Sequence, residues 1–256
     1  MSQLIDMAAA PRSMIVGARP RKQKRRLGRW GLAFLWLRRV AVGFVLMCGL
    51  WTAAYALVEP PYTLTMASRA VQGADVRRAP VPLAAISPHL VRAVIAAEDT
   101  RFCAHGGFDH EAIERAMNEA RQGRRLRGAS TISQQTAKNA FLWTGGGWPR
   151  KAAEAGFTSL IELGWSKRRI LEVYLNAAEW GDGVFGAEAA AQARFGKSAA
   201  ELTAREAALL AAVLPSPNRW RLDPPGPYVA SRAATIEARM AVVARDGLAA
   251  CVLGST

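Results

Sequence analysis

EDTRFCAHGGFD (residues 98–109), GASTISQQTAKN (128–139), PRKAAE (149–154) and KRRILEVYLN (167–176) decide how this chain reads. Each segment lies at the edge of a stretch with helical periodicity. Together they gather carboxylates, cations and amides into one part of the sequence. Just ahead of them, Ser87-Pro88 pairs an N-cap with a helix-starting proline. Leu90, Val91, Val94 and Ile95 then follow an amphipathic stripe that ends at Glu98. Further helices are expected at 109–122, 131–141, 149–164, 167–176, 184–195 and 203–214. The last opens on the capping box Thr203-x-x-Glu206. Alanine-rich text over 229–249 predicts one more. Strand signals are few, so the fold is predicted to be mainly α.

The chemistry follows from these placements. Glu98 sits where an apolar helix meets the loop DTRFCAHGG, and Ile95, Ala96 and Phe102 can shield it from water. A general base or acid needs such a setting, whereas a lone Glu at a helix end more often faces solvent. Asp99 reads as its orienting partner and His105 as structural. In the second segment, Gln134 and Lys138 are four apart on one helical face, as are Gln135 and Asn139. In the third, Pro149 marks a helix start, and Arg150 and Lys151 follow in the first turn, against the helix dipole. A bound anion such as a phosphate would resolve that conflict. A simple Arg150–Glu154 surface pair runs in the weaker i,i+4 order. Glu154 could donate a proton or hold a divalent cation. Arg121, Arg124, Arg125 and Arg127 make a basic loop, read as solvated or as an attractor of anionic headgroups.

Composition separates the partner classes. The 256 residues carry a net charge of +14. Ten of the 34 bases fall between Arg12 and Arg39, against only Asp6 and Glu59 before Pro60, which leaves +6 for the remainder. The charge is largely a tail, and no nucleic-acid-binding module accompanies it. Residues 40–58 (VAVGFVLMCGLWTAAYALV) contain no charge and are long enough to span hydrocarbon. Arg38 and Arg39 behind them predict a cytoplasmic N-terminus, with the rest outside. Trp51 and Tyr55 are expected at the outer interface. A cleaved signal peptide (Ala54-Tyr55-Ala56) and a buried core helix compete with this reading. The first would need an overlong basic region, and the second is seldom apolar on every face. The three cysteines, Cys48, Cys103 and Cys251, form neither a disulfide framework nor a zinc pattern. With Cys48 in lipid, a Cys103–Cys251 bridge is the one pairing left open, and the wide spacing weighs against it.

The four segments, with FGKSAAELTAREAALLAAVLP (195–215), resemble the five motifs of the peptidoglycan glycosyltransferases of family 51, in the family's order from about Ile86 to Trp220. No transpeptidase segment follows, so the chain resembles the monofunctional biosynthetic form. The resemblance implies a lysozyme-like, two-lobed domain behind one transmembrane helix. The implied organisation is a basic cytoplasmic tail (1–39), the span (40–58), a connector (59–85), the glycosyltransferase domain (86–222) and a C-terminal helical extension (223–256). The implied substrates are lipid II and the growing glycan chain at the inner membrane. Cell-wall synthesis and division proteins could be partners. By motif position, Glu98 would be the general base and Glu154 the second catalytic acidic residue. Lys138, Arg150 and Lys151 would meet the diphosphate. Ser130, Gln134 and Gln135 would line the cleft beside Asp99 and Asn139, and Glu172 and Asn176 would support it. No cofactor is required, although Mg²⁺ could sit at Glu154. Relatives often carry an arginine where Gly146 stands. A lysozyme-like lytic hydrolase is the main alternative, and it would not need the cations. A non-enzymatic scaffold would need neither carboxylate.

Overall fold

The computed structural model describes residues 28–123, 130–222 and 224–254. Arg124, Arg125, Arg127 and Gly128 lie outside them, as does most of the basic tail. The chain divides into two units at Phe44/Val45, inside the first helix.

That helix, α1 (Arg29–Leu57), begins eleven residues before the expected span. Residues 29–39 contain Leu, Phe and Trp among their charges, and these continue the helix without a break. Among the described residues, α1 is the one helix long and apolar enough to cross a membrane. Its N-terminal stretch presents Trp30, Phe34, Trp36 and Leu37 to the surroundings.

Within the second unit, the C-terminal part of α1 is built into the protein. Trp51 meets the Phe141 ring edge-on at 5.3 Å, and Tyr55 stacks on the same ring at 5.4 Å. Phe141 stacks in turn on Phe157 at 4.5 Å. Trp165 Nε1 donates to the Thr52 carbonyl (2.9 Å). Arg169 donates to the Tyr55 and Val58 carbonyls, which the end of a helix leaves without partners. Trp51 and Tyr55 therefore pack against protein. Cys48 is buried and free.

The connector is ordered. Thr63 caps a short helix, α2 (Leu64–Val71), by accepting from the Met66 N–H. Strand β1 (Arg77–Arg78) and a 3-10 turn (Leu83–Ala85) follow. The remaining helices are α3 (Pro88–Glu98), α4 (His110–Arg121), α5 (Ile132–Phe141), α6 (Gly147–Gly164) and α7 (Lys167–Ala177). After them come α8 (Ala187–Phe195), α9 (Ala204–Val213), α10 (Pro227–Arg245) and the four-residue α11 (Ala250–Leu253). Thr131 and Thr203 cap their helices as the sequence predicts, and Asp109, expected as the first residue of its helix, is its N-cap. The helix expected from Val184 starts only at Ala187. Residues 184–185 are strand β3, which pairs antiparallel with β2 (Glu179–Gly181) and parallel with β1. Gly183 in the β2–β3 turn is required there, because its φ is +72° and a Cβ would lie 2.5 Å from the Asp75 carbonyl oxygen.

The helices form two packed groups. Helices α3, α9 and α10 pack on one another, while α5 packs on α6 and α7. The domain end expected at 222 marks no break, because α10 is a full member of the first group. Glu98 ends α3 in one group and faces α5 in the other, so the cleft lies at their seam. Helix α7 ties the connector to this frame. Asn176 exchanges hydrogen bonds with both backbone groups of Val81, and Glu172 accepts from the Leu83 N–H (2.7 Å).

Cys103 and Cys251 are joined by a disulfide. The sequence spacing weighed against this pairing, but folding brings the loop after Glu98 to α11. Arg168 on α7 also holds that end of the chain, donating to the Val252 carbonyl (2.9 Å).

Candidate active site

Glu98 is held through one oxygen. Gln135 Nε2 donates to its Oε2 at 2.9 Å. Its Oε1 is buried and has no hydrogen-bond partner among the described residues. Arg232, on α10, brings a guanidinium nitrogen to 3.8 Å from that oxygen, and its own Nε is buried without a partner. A buried carboxylate oxygen without a donor, with a guanidinium close by, fits a hydroxyl, which can donate to the one and accept from the other. Arg232 carries no local motif, and reasoning from the sequence missed it. Only the packing of α10 on α3 reveals it.

Asp99 orients the surrounding loop. It accepts from the Ile132 N–H (3.0 Å), so the loop after α3 fixes the start of α5. It also pairs with His105 Nε2 (2.9 Å). His105 Nδ1 accepts from the Gly107 N–H, which places the ring proton on Nε2, facing Asp99. His105 is structural, as expected, and the Asp99 carboxylate is engaged in positioning. Gln134 is engaged too. Its Oε1 accepts from the Thr131 N–H and its N–H donates to Thr131 Oγ1, closing a capping box. It therefore shapes the start of α5, while Gln135, one residue on, faces the cleft.

The cations gather around Glu154. Arg150 donates to Glu154 Oε2 at 2.7 Å, and Lys151 contacts the other oxygen. Lys151 also reaches Ser130 Oγ (3.4 Å). Ser130 lines a pocket of about 100 Å³ together with Glu98, Asp99 and Thr131. The Lys138 ammonium makes no hydrogen bond or ion pair among the described residues. Burial pushes its pKa down, and Glu154 and Glu98 pull it back up, so it feels both carboxylates. With Gln135, Asn139 and Tyr174, Lys138 lines a second cavity of about 200 Å³. Both oxygens of Glu154 are engaged by Arg150 and Lys151. No cluster of three His, Cys, Asp or Glu exists among the described residues.

The helix carrying these cations starts earlier than expected. Gly147 opens α6, so Pro149 is its third residue, where the missing N–H costs nothing because first-turn N–H groups have no helical acceptor. Gly146 precedes it at φ +91°, and a Cβ there would lie 2.8 Å from Trp143 Nε1 and 3.0 Å from Arg150 Cβ. An arginine in place of Gly146 would therefore be strained here by both backbone and neighbours.

Two carboxylates and three cations brought to one cleft suit a transferase that moves a group away from an anionic leaving group. The transglycosylase family model matches residues 65–245, and this chain belongs to that family. It is 60% identical over 221 residues to a biosynthetic peptidoglycan transglycosylase of Rhodospirillum centenum, covering 85% of this chain and 96% of that one. Proteins of the same description are 51% identical in Caulobacter vibrioides (83% and 94% covered) and 48% identical in Jannaschia sp. (91% and 98% covered).

Proposed function

We propose that this enzyme polymerises peptidoglycan glycan chains from lipid II. Glu98 Oε1 takes the proton from the 4-hydroxyl of an incoming lipid II while Arg232 steadies the same oxygen. The deprotonated 4-oxygen of that lipid II attacks C1 of the sugar at the reducing end of the growing chain. The bond to the lipid diphosphate breaks, and attack from the opposite face turns α into β. Lys138, Arg150 and Lys151 meet the charge that develops on the departing diphosphate. The observation that carries this reading is a Glu98 oxygen left without a hydrogen bond in the same cleft as Lys138, which feels both Glu98 and the Arg150–Lys151–Glu154 cluster. A lytic hydrolase would have no use for that cluster.

Helix α1 would anchor the enzyme in the inner membrane, with its basic N-terminal flank in the cytoplasm. The Cys103–Cys251 bridge supports a catalytic domain on the oxidising, periplasmic side.

The test is purified full-length protein with labelled lipid II, its products run on a gel before and after muramidase. A muramidase-sensitive ladder, absent in Glu98→Gln, is expected. Fragment release from preformed glycan with no ladder would replace this reading with the hydrolase.

A further inference from the structure

Tyr174 belongs to the KRRILEVYLN segment, but nothing in the mechanism above uses it. It is wholly buried on α7, and its hydroxyl lies 3.2 Å from Gln135 Oε1. Gln135 Nε2 in turn donates to Glu98 Oε2 at 2.9 Å. We propose that Tyr174 is a positioning residue that works through Gln135, fixing which oxygen of Glu98 stays open for the substrate.

The polarity of the chain leaves one arrangement. The carboxylate demands a donor, so the Gln135 amide turns its Nε2 to Glu98 and its Oε1 to the phenol. The phenol must then donate, and it keeps its proton to do so. Burial raises its pKa well above the usual value, and the charges of Glu98 and Asp99 add to that rise. Each end of the amide is therefore held by a group of the opposite kind. A Gln135 held at one end only could swing, and the carboxylate with it. Held at both ends, it ties down Oε2 and leaves Oε1 with no partner. The element order serves the same purpose, because α5 carries Gln135 and is clamped between α7, with Tyr174, and the end of α3, with Glu98.

This inference rests on Glu98 being the base, and its test separates the two. Steady-state lipid II polymerisation is measured for the wild type, Tyr174→Phe, Gln135→Leu and the double variant, with Glu98→Gln alongside. Tyr174→Phe is expected to lower kcat about tenfold, the scale of one lost hydrogen bond, with KM within about twofold. In the Gln135→Leu background it is expected to cost nothing further, because the relay is already cut. Wild-type kcat in Tyr174→Phe would overturn the inference. So would the same loss in both backgrounds, since Tyr174 would then act by packing alone. Should Tyr174→Phe fail to fold, Gln135→Leu decides alone: wild-type kcat there overturns the relay. An active Glu98→Gln would remove the base itself, and an inactive Glu98→Gln beside a wild-type Tyr174→Phe removes only the relay.

Discussion

Glu98 and Glu154 are two carboxylates of one cleft with opposite surroundings. Glu98 faces an amide and a guanidinium 3.8 Å away, and one of its oxygens accepts no hydrogen bond among the described residues. Glu154 is buried under Arg150 and Lys151, and both its oxygens are occupied. A proton acceptor needs a free lone pair, and an organiser of cations needs none. The difference supports the proposed division of labour, with Glu98 as the base and Glu154 as the post that holds two cations.

The largest expected effect tests the first half of that contrast. Glu98→Gln keeps the shape and removes the base, so polymerisation should fall by about 10³-fold, within the range for lost general-base catalysis. Its melting temperature should stay within about a degree, because no ion pair shorter than 3.8 Å is lost. Glu154→Gln should behave differently in both readouts. It leaves two cations without their partner, so melting should drop by several degrees and turnover by about 10- to 100-fold, with a raised KM. Equal thermal behaviour of the two variants would erase the contrast.

The next effect sharpens the Glu98 side, since Cys103 is only five residues beyond it. Replacing Cys251 by Ser opens a loop whose ends are 148 residues apart. Loop-closure entropy puts the loss at about 5 kcal/mol, and scanning calorimetry should show a melting point lower by roughly 10 °C. An unchanged melting point would mean that Arg168 and the α7 contacts hold α11 unaided.

The smallest effect concerns Lys138, which sits between the two carboxylates. Its pKa is lowered chiefly by burial, so it loses its charge at lower pH than an exposed lysine. KM for lipid II should therefore rise early on the alkaline side, by a few-fold. Lys138→Arg, which keeps its charge, should move that limb to higher pH. The sign for stability runs the other way from that of a paired lysine. The unfolded chain binds the extra proton between the lowered and the ordinary pKa, so across that window the native state gains stability as pH rises. A KM profile that is identical in the two proteins would show that Lys138 does not titrate in the working range.

What the sequence made legible was local. Ser87, Thr131 and Thr203 cap their helices because capping depends on residues three or four apart. Glu98, Lys138 and Arg150 could be picked out because their segments are compact and match a family in order. Arg232, Tyr174 and the cysteine bridge could not, since each depends on elements far apart in the chain meeting in space. Helix α2 was hidden by its eight residues, too few for a periodic stripe to stand out among the prolines of the connector. The start of α6 was misplaced because Pro149 looks like a first residue, while the actual start lies at Gly147, behind a glycine whose backbone only the folded chain discloses.

The bridge between Cys103 and Cys251 also gives the chain a topology. It closes a covalent ring that contains α4 to α10, with Lys138, Glu154, Tyr174 and Arg232 on its circumference. Glu98 and α1 hang outside it on one tail. A single proteolytic cut anywhere on the ring therefore opens a loop without releasing a fragment. A nicked molecule would stay one piece, still tethered by its tail, until a reductant separated the halves.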